Sequence, residues 1–548
     1  MKTRAAALQN IESNSFDLCV IGGGATGSGC ALDAQLRGLK TVLLEARDFA
    51  SATSSASTKM VHGGVRYLEQ AVRGFDLAQW GVVRRALAER ILMLRNAPFL
   101  TGTMEFLTPC FHRWDAAYLG IGLKLYDWIA GKAGLAPSRF VPQAEALRRM
   151  PNLNPKGLLG AMAYTDGQFD DARYNMALVE TFADAGGEAL NYARVTAFEK
   201  GPDRKLRAAE VEDAFSHRRF MVRARAFVNA AGPWADSVRE MATPSTPRRL
   251  RLSKGVHIVL PLDVWSSRDA MLIPKTEDGR VLFAIPCQGR LLVGTTDKEV
   301  SSPDELALTT DEAEYLLHHL SRYLARPVAR TQIVSGSAGA RALVSARGTK
   351  RTSKLVRDHE VELDRASGLI SILGGKWTTY RAMAEDTVNA VQKYLGGPVS
   401  ACATRDYLLA GSRGYTPDYS HKLAHEFGLS AEIAQHLAGK FGARATDVAA
   451  LAKHDPDLAR PLVEELPPLR AEVIYAIRHE MAVGIEDILA RRIGLEFYSW
   501  KDAVTAAPVV ADLLARHCHW PESTRHEALA HYLRRVHDLM ERVGLASP

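Results

Sequence analysis

Cysteine is scarce in this chain. Its 548 residues include six, Cys19, Cys30, Cys110, Cys287, Cys402 and Cys518, and no two of them form a C-x-x-C pair. This excludes a disulfide scaffold and fits reduced, mostly structural thiols in a cytosolic setting. Long apolar runs are missing too. No stretch approaches the ~20 uninterrupted apolar residues of a membrane-spanning helix. The nearest, residues 116–131, is broken by Lys124 and Asp127. The opening residues MKTRAAALQNIESNSF lack the apolar core of a secretory signal. There is no P-loop and no serine nucleophile elbow. His479-Glu480 opens like a zinc helix, but Val483 stands where the second histidine belongs. His517, Cys518 and His519 are too close in sequence to share one ion, so no metal is expected. Repeats and low-complexity tracts are also absent.

Basic residues exceed acidic ones by a net +7, for a pI near 9.0. An excess of that sign attracts anions. Without a dense Lys/Arg run it points to phosphorylated metabolites or acidic lipid rather than nucleic acid. Hydrophobic residues at 47% and charged residues at 24% describe an ordinary globular chain. The length exceeds what one core can hold, so two or three domains are expected.

Residues 16–45 alternate strand, glycine turn, helix and strand. Phe16–Ile21 reads as an apolar strand, residues 22–27 as the turn, 28–38 as a helix, and Thr41–Leu44 as a second strand ending at Glu45. Gly22, Gly24 and Gly27 form G-x-G-x-x-G: a tight turn, a close approach of backbone to a pyrophosphate, and close helix packing. Glu45, at the tip of the second strand, is placed to accept hydrogen bonds from a ribose. The fingerprint alone does not choose between NAD and FAD. Residues 76–95 read as an amphipathic helix, 188–230 and 250–300 as β segments, and 331–380 as strands and glycine turns ending in a helix. From about residue 402 the chain becomes helical, which suggests a separate helical domain over 402–548. Residues 111–135 mix Trp114, Tyr118 and Trp128 with Lys124 and aliphatics, which suits either a membrane interface or a buried amphipathic helix.

The segment TSSASTKMVHGGVRYLE (53–69) resembles the signature of FAD-dependent, quinone-linked glycerol-3-phosphate dehydrogenases. NAAGPWAD (229–236), SKGVHIVLP (253–261), LLVGTTD (291–297) and GGKWTTYR (374–381) resemble it too, and HEMAVGIEDILARR (479–492) resembles the family's C-terminal domain. The resemblance runs in order from about residue 16 to 495. It implies an α/β fold: a Rossmann-like FAD-binding domain interleaved over 1–401 with an inserted antiparallel β-sheet substrate domain, followed by an all-α C-terminal domain. It also implies oxidation of glycerol 3-phosphate, quinone as acceptor, and peripheral attachment to the inner face of the cell membrane; a homodimer is left open. Beyond Gly22, Gly24, Gly27 and Glu45, it assigns Thr53, Ser54, Ser55, Ser57, Lys59, His62, Gly63, Gly64, Gly232, Gly375 and Thr378 to the cofactor.

Oxidising a secondary alcohol removes a hydride from carbon and a proton from oxygen. A flavin accepts the first, and the protein must supply an acceptor for the second. The resemblance places Arg66, His257, Arg341, Arg357 and Lys376 around the substrate, with Tyr67 beside them. Guanidinium forks match phosphate oxygens, which assigns Arg66 and Arg357 to the phosphate. Arg341 and Lys376 would stabilise negative charge at the reacting hydroxyl and the flavin. His257 is the candidate base, with Lys376 its rival. The family's Gly-Val-Arg-Pro is here Gly339-Ala340-Arg341-Ala342. Two alternatives stay open: an oxidase that delivers electrons to oxygen, and a flavin-bound protein without turnover. A different substrate on the same fold is a third.

Overall fold

The computed structural model describes residues 1–64, 77–274, 276–304, 306–345 and 359–546. Arg66, Tyr67 and Arg357 lie outside the described residues.

Two sheets organise the molecule. In the first, the strands run His359–Leu363, Leu369–Gly374, Arg219–Asn229, Ser15–Ile21, Thr41–Leu44, Glu188–Leu190. All but the first of these are mutually parallel. The central strand buries Phe16, Leu18, Cys19, Val20 and Ile21 in succession, the near-continuous apolar run of a strand covered on both faces. Ser15–Ile21 pairs with Thr41–Leu44 on one side and Arg219–Asn229 on the other, so its carboxyl end is a topological switch point, where such sheets bind ligands. The helix after the glycine turn spans Ala25–Leu36. It starts three residues earlier than the glycines suggest, because Ser54 Oγ accepts the Ala25 N–H at 3.0 Å.

The second sheet is antiparallel except where Ala270–Ile273 runs parallel to Thr101–Cys110. Its long strand Leu250–Pro261 pairs with Arg290–Gly294 and, over ten residue pairs, with Ser335–Val344. The expectation of a helical C-terminal domain is met from Tyr419 onward. Those helices do not enclose a core of their own. Leu423, Val448, Ile474, Ile488, Leu514 and Val536 belong to one apolar cluster with Val256, Ile258, Leu291 and Val293 of the second sheet.

The helix Arg113–Ala130 buries Leu123, Tyr126 and Ala130 and exposes Trp114 (86%), Ile121 (70%) and Trp128 (73%). One face of this segment is thus buried and the other exposed. Among the described residues no helix is long and apolar enough to cross a membrane.

Candidate active site

A cavity of about 1400 Å³ opens at the carboxyl end of Ser15–Ile21, larger than the ~300–1,000 Å³ of ordinary ligand pockets. Its floor is the glycine turn. A methyl on Gly22 would stand 2.5 Å from Ala230 O, and one on Gly24 would stand 2.8 Å from Ser54 Oγ. Only bare backbone fits there. Gly24, Ala25 and Thr26 at the helix N-terminus line the space, where free amides and the positive end of the helix dipole suit a pyrophosphate. Gly27 is not in the lining. Its methyl would lie 1.8 Å from Gly22 O, so it serves the helix–strand contact.

Glu45 lines the cavity. Its carboxylate accepts the Gly23 N–H at 2.6 Å and the Arg47 N–H at 2.8 Å. Burial pushes it above the usual carboxylate range. The hydroxyl-rich loop then folds over the turn. Thr53 Oγ1 donates to Ala340 O at 2.6 Å, and Trp377 Nε1 donates to Ser54 O at 2.9 Å. Thr53, Ser54, Ser57, His62, Gly232, Gly375 and Thr378 share the same lining.

Ser55, Lys59, Gly63 and Gly64 do not line it. Lys59 is 3% exposed and ion-paired with fully buried Asp171. Asp171 also accepts from Ser57 Oγ at 2.7 Å. Lys59 and Ser57 thus tie the loop to the buried helix Asp171–Asp184. The Gly63 N–H donates at 2.9 Å to Tyr126 Oη, whose hydroxyl donates to buried Asp166 at 3.0 Å. Asp171, Asp166 and Tyr126 went unnoticed in the sequence. The acidic run Asp170-Asp171 before an apolar helix was the signal for the first of them.

His257, Arg341 and Lys376 come from three separate segments, and all three line the cavity. Glycines make the room. A methyl on Gly255 would lie 2.4 Å from Arg341 Nη2, and one on Gly294 would lie 2.1 Å from the His257 ring. Arg341 donates to Thr296 O at 3.0 Å and to Thr295 Oγ1 at 2.9 Å, which aims its fork along the wall. His257 is 2% exposed. Its Nε2 lies 3.0 Å from Thr58 Oγ1, and Nδ1 is without a hydrogen-bond partner among the described residues. Burial, then the charges of Arg341 and Lys59, lower its pKa to about 3. The ring is neutral at physiological pH. Thr58, which lines the cavity beside it, also escaped the sequence reading.

A parallel sheet with a bare glycine turn at its switch point, and a cavity lined by that turn and by His257, Arg341 and Lys376, define a dinucleotide-binding protein. Residues 17–381 match the family model described as FAD dependent oxidoreductase, and 402–525 match the C-terminal domain of alpha-glycerophosphate oxidase. The mitochondrial glycerol-3-phosphate dehydrogenase of Rattus norvegicus is 39% identical, with 96% of this chain and 74% of that protein covered. The Arabidopsis thaliana mitochondrial enzyme is 38% identical, with 96% and 86% covered. The crystal structure of the Bacillus halodurans glycerol-3-phosphate dehydrogenase complexed with FAD superposes with a TM-score of 0.80 at 28% identity, covering 100% of this chain and 99% of that one. The chain belongs to the FAD-dependent glycerol-3-phosphate dehydrogenase family, and FAD is its cofactor.

Proposed function

We propose that the protein oxidises sn-glycerol 3-phosphate to dihydroxyacetone phosphate and that the electrons pass on to quinone at a lipid surface. What supports the first part is that His257, Arg341 and Lys376 line the same cavity as the glycine turn. Bound FAD supplies the hydride-accepting ring. The chain's residues do the rest. Arg341, aimed by Thr295 and Thr296, and Lys376 stabilise negative charge on the substrate oxygen as its proton leaves. His257, neutral and in contact with Thr58, is positioned to take that proton. Arg66 and Arg357 hold the phosphate, where bidentate guanidinium contacts are the strongest available, with Tyr67 a further substrate-binding residue. The names of the relatives support the same substrate.

The second part rests on the helix Arg113–Ala130. Trp114 and Trp128 face solvent, while Tyr118, Leu119, Ile121 and Gly122 of the same helix line the cavity. An apolar surface of this kind suits a bilayer interface. It would bring a lipid-dissolved acceptor to the cavity and seat the protein on the inner face of the cell membrane.

Anaerobic glycerol 3-phosphate should bleach the flavin absorbance of the purified protein within seconds; a spectrum that stays oxidised rejects the assignment. Under air, quinone-dye reduction should far outpace peroxide formation, and the reverse would make the protein an oxidase. Trp114→Ser with Trp128→Ser should release the protein from anionic phospholipid vesicles, and unchanged binding rejects the surface.

A further inference from the structure

The segment His479–Arg492 lies more than 400 residues beyond the glycine turn in sequence, and among the described residues none of it lines the cavity. It nevertheless reaches the cofactor loop. Asp48 is fully buried three residues past Glu45. Its carboxylate accepts from Arg491 Nε at 2.6 Å, from Arg492 Nη1 and Nη2 at 2.7 and 2.8 Å, and from Asn191 Nδ2 at 3.2 Å. Burial alone would raise this carboxyl, but Arg492 and Arg491 hold it down to about 2.

The two arginines are themselves fixed from behind. Arg492 Nη2 donates to Glu480 O at 2.9 Å, and Arg491 Nη2 donates to Asp487 Oδ1 at 2.7 Å. Asp487 is pinned in turn by the Val483 and Gly484 N–H groups, each at 2.9 Å, and by the Tyr192 hydroxyl at 2.6 Å. The arginines therefore cannot follow the loop if it shifts. The flanks of Asp48 both bind Gly23 in the centre of the glycine turn. Glu45 accepts its N–H at 2.6 Å, and Ala50 N donates to its carbonyl at 3.2 Å. Phe49, fully buried, has its ring 2.7 Å from where a methyl on Gly23 would stand. Asp48 is thus the central anchor of a short arc that carries Glu45, Arg47 and Ala50 along the cavity wall.

We propose that Asp48, clamped by Arg491 and Arg492, is a positioning residue for FAD, so that the helical C-terminal part forms a built-in support of the cofactor site. Removing the clamp lets the arc relax away from the glycine turn, and the cofactor is then held more loosely whatever the substrate.

The test compares Asp48→Asn, Arg492→Gln and Arg492→Lys with Arg444→Gln. The last breaks the Arg444 contacts to Glu180 and Asp184, which also join the helical part to the FAD-binding part but involve none of residues 45–50. FAD dissociation is read from the fluorescence of released flavin, and kcat and KM are measured separately with FAD in excess. Asp48→Asn and Arg492→Gln should raise the FAD dissociation constant at least about tenfold, equivalent to about 1.4 kcal/mol. With FAD in excess, kcat and KM should stay within about twofold, Arg492→Lys should fall between, and Arg444→Gln should bind FAD as the wild type does. Unchanged FAD affinity in the loop variants, whatever their unfolding temperature, overturns the proposal. So does an equal loosening in Arg444→Gln. If Arg492→Gln does not fold, Arg492→Lys and Asp48→Asn carry the comparison on the same criteria. The dissociation readout, which decides the proposal, uses FAD alone and is independent of the substrate assignment.

Discussion

The neutral imidazole of His257 has a measurable consequence. Its pKa of about 3 in the folded protein compares with about 6.5 for an imidazole in an unfolded chain. Between those values the unfolded state binds a proton that the folded state refuses. Stability therefore rises with pH across the window, is fully present above about pH 6.5, and is lost as pH falls towards 3. At pH 5 the unfolded ring is about 1.5 pH units into its titration, which at ~1.36 kcal/mol per unit costs the native state about 2 kcal/mol. His257→Gln removes the titrating group. Both proteins also lose stability through other groups on acidification, so the informative quantity is the gap between them. That gap should narrow by about 2 kcal/mol from about pH 8 to about pH 5, measured by urea unfolding with FAD in excess. A constant or widening gap would mean that the folded ring still takes up a proton at about pH 5. Burial beside Arg341 and Lys59 would then not govern it.

A methyl on Gly27 meets the Gly22 carbonyl at 1.8 Å, backbone against backbone. Gly27→Ala should therefore yield protein purified largely without flavin, read from the flavin-to-protein absorbance ratio, and should cost roughly 1–3 kcal/mol or more from overpacking. Gly81, exposed within the helix Leu77–Asn96 with nothing near its missing side chain, is the opposite case: Gly81→Ala should keep full flavin and gain about 0.5–1 kcal/mol. Ala342→Pro restores the residue of the family pattern beside Arg341; kcat/KM should change by less than about threefold, because a rigid turn is not what holds this arginine. A larger gain would show that the strand leaves it loose.

That last expectation bears on what a sequence can disclose. The βαβ unit was legible because every part of it is local: an apolar strand, three glycines, a helix and an acid in register within thirty residues. The start of its helix was not, because the group that accepts the Ala25 N–H is Ser54, brought in by tertiary folding. The candidate cations were legible through their motifs, yet what orients them was not. In sequence, Ala342 looks like a missing brace for Arg341. In the fold, Arg341 lies within a strand paired residue for residue to Leu250–Pro261, facing Ser253, with its fork held by Thr295 and Thr296. Stiffness supplied by a proline in one pattern is supplied here by a ladder and two hydrogen bonds.

The helical C-terminal part makes the same point at larger scale. The change of composition near residue 402 marks a change from strands to helices, but the apolar core continues across it. The ion pairs that cross the molecule, Lys59 with Asp171, Arg173 with Glu480 and Arg492 with Asp48, join residues separated by about 110 to 445 positions. No periodicity encodes such pairs. Each would be costly as a lone buried charge, and each becomes tolerable only when its partner arrives. Their burial therefore makes the cofactor loop, the helix Asp171–Asp184 and the His479–Arg492 segment mutually dependent. A cavity lined by short polar side chains and bare glycine has little packing of its own to hold its shape. These buried pairs supply that stiffness from the layer behind the lining, which is why the residues that shape the site are not confined to the motifs that mark it.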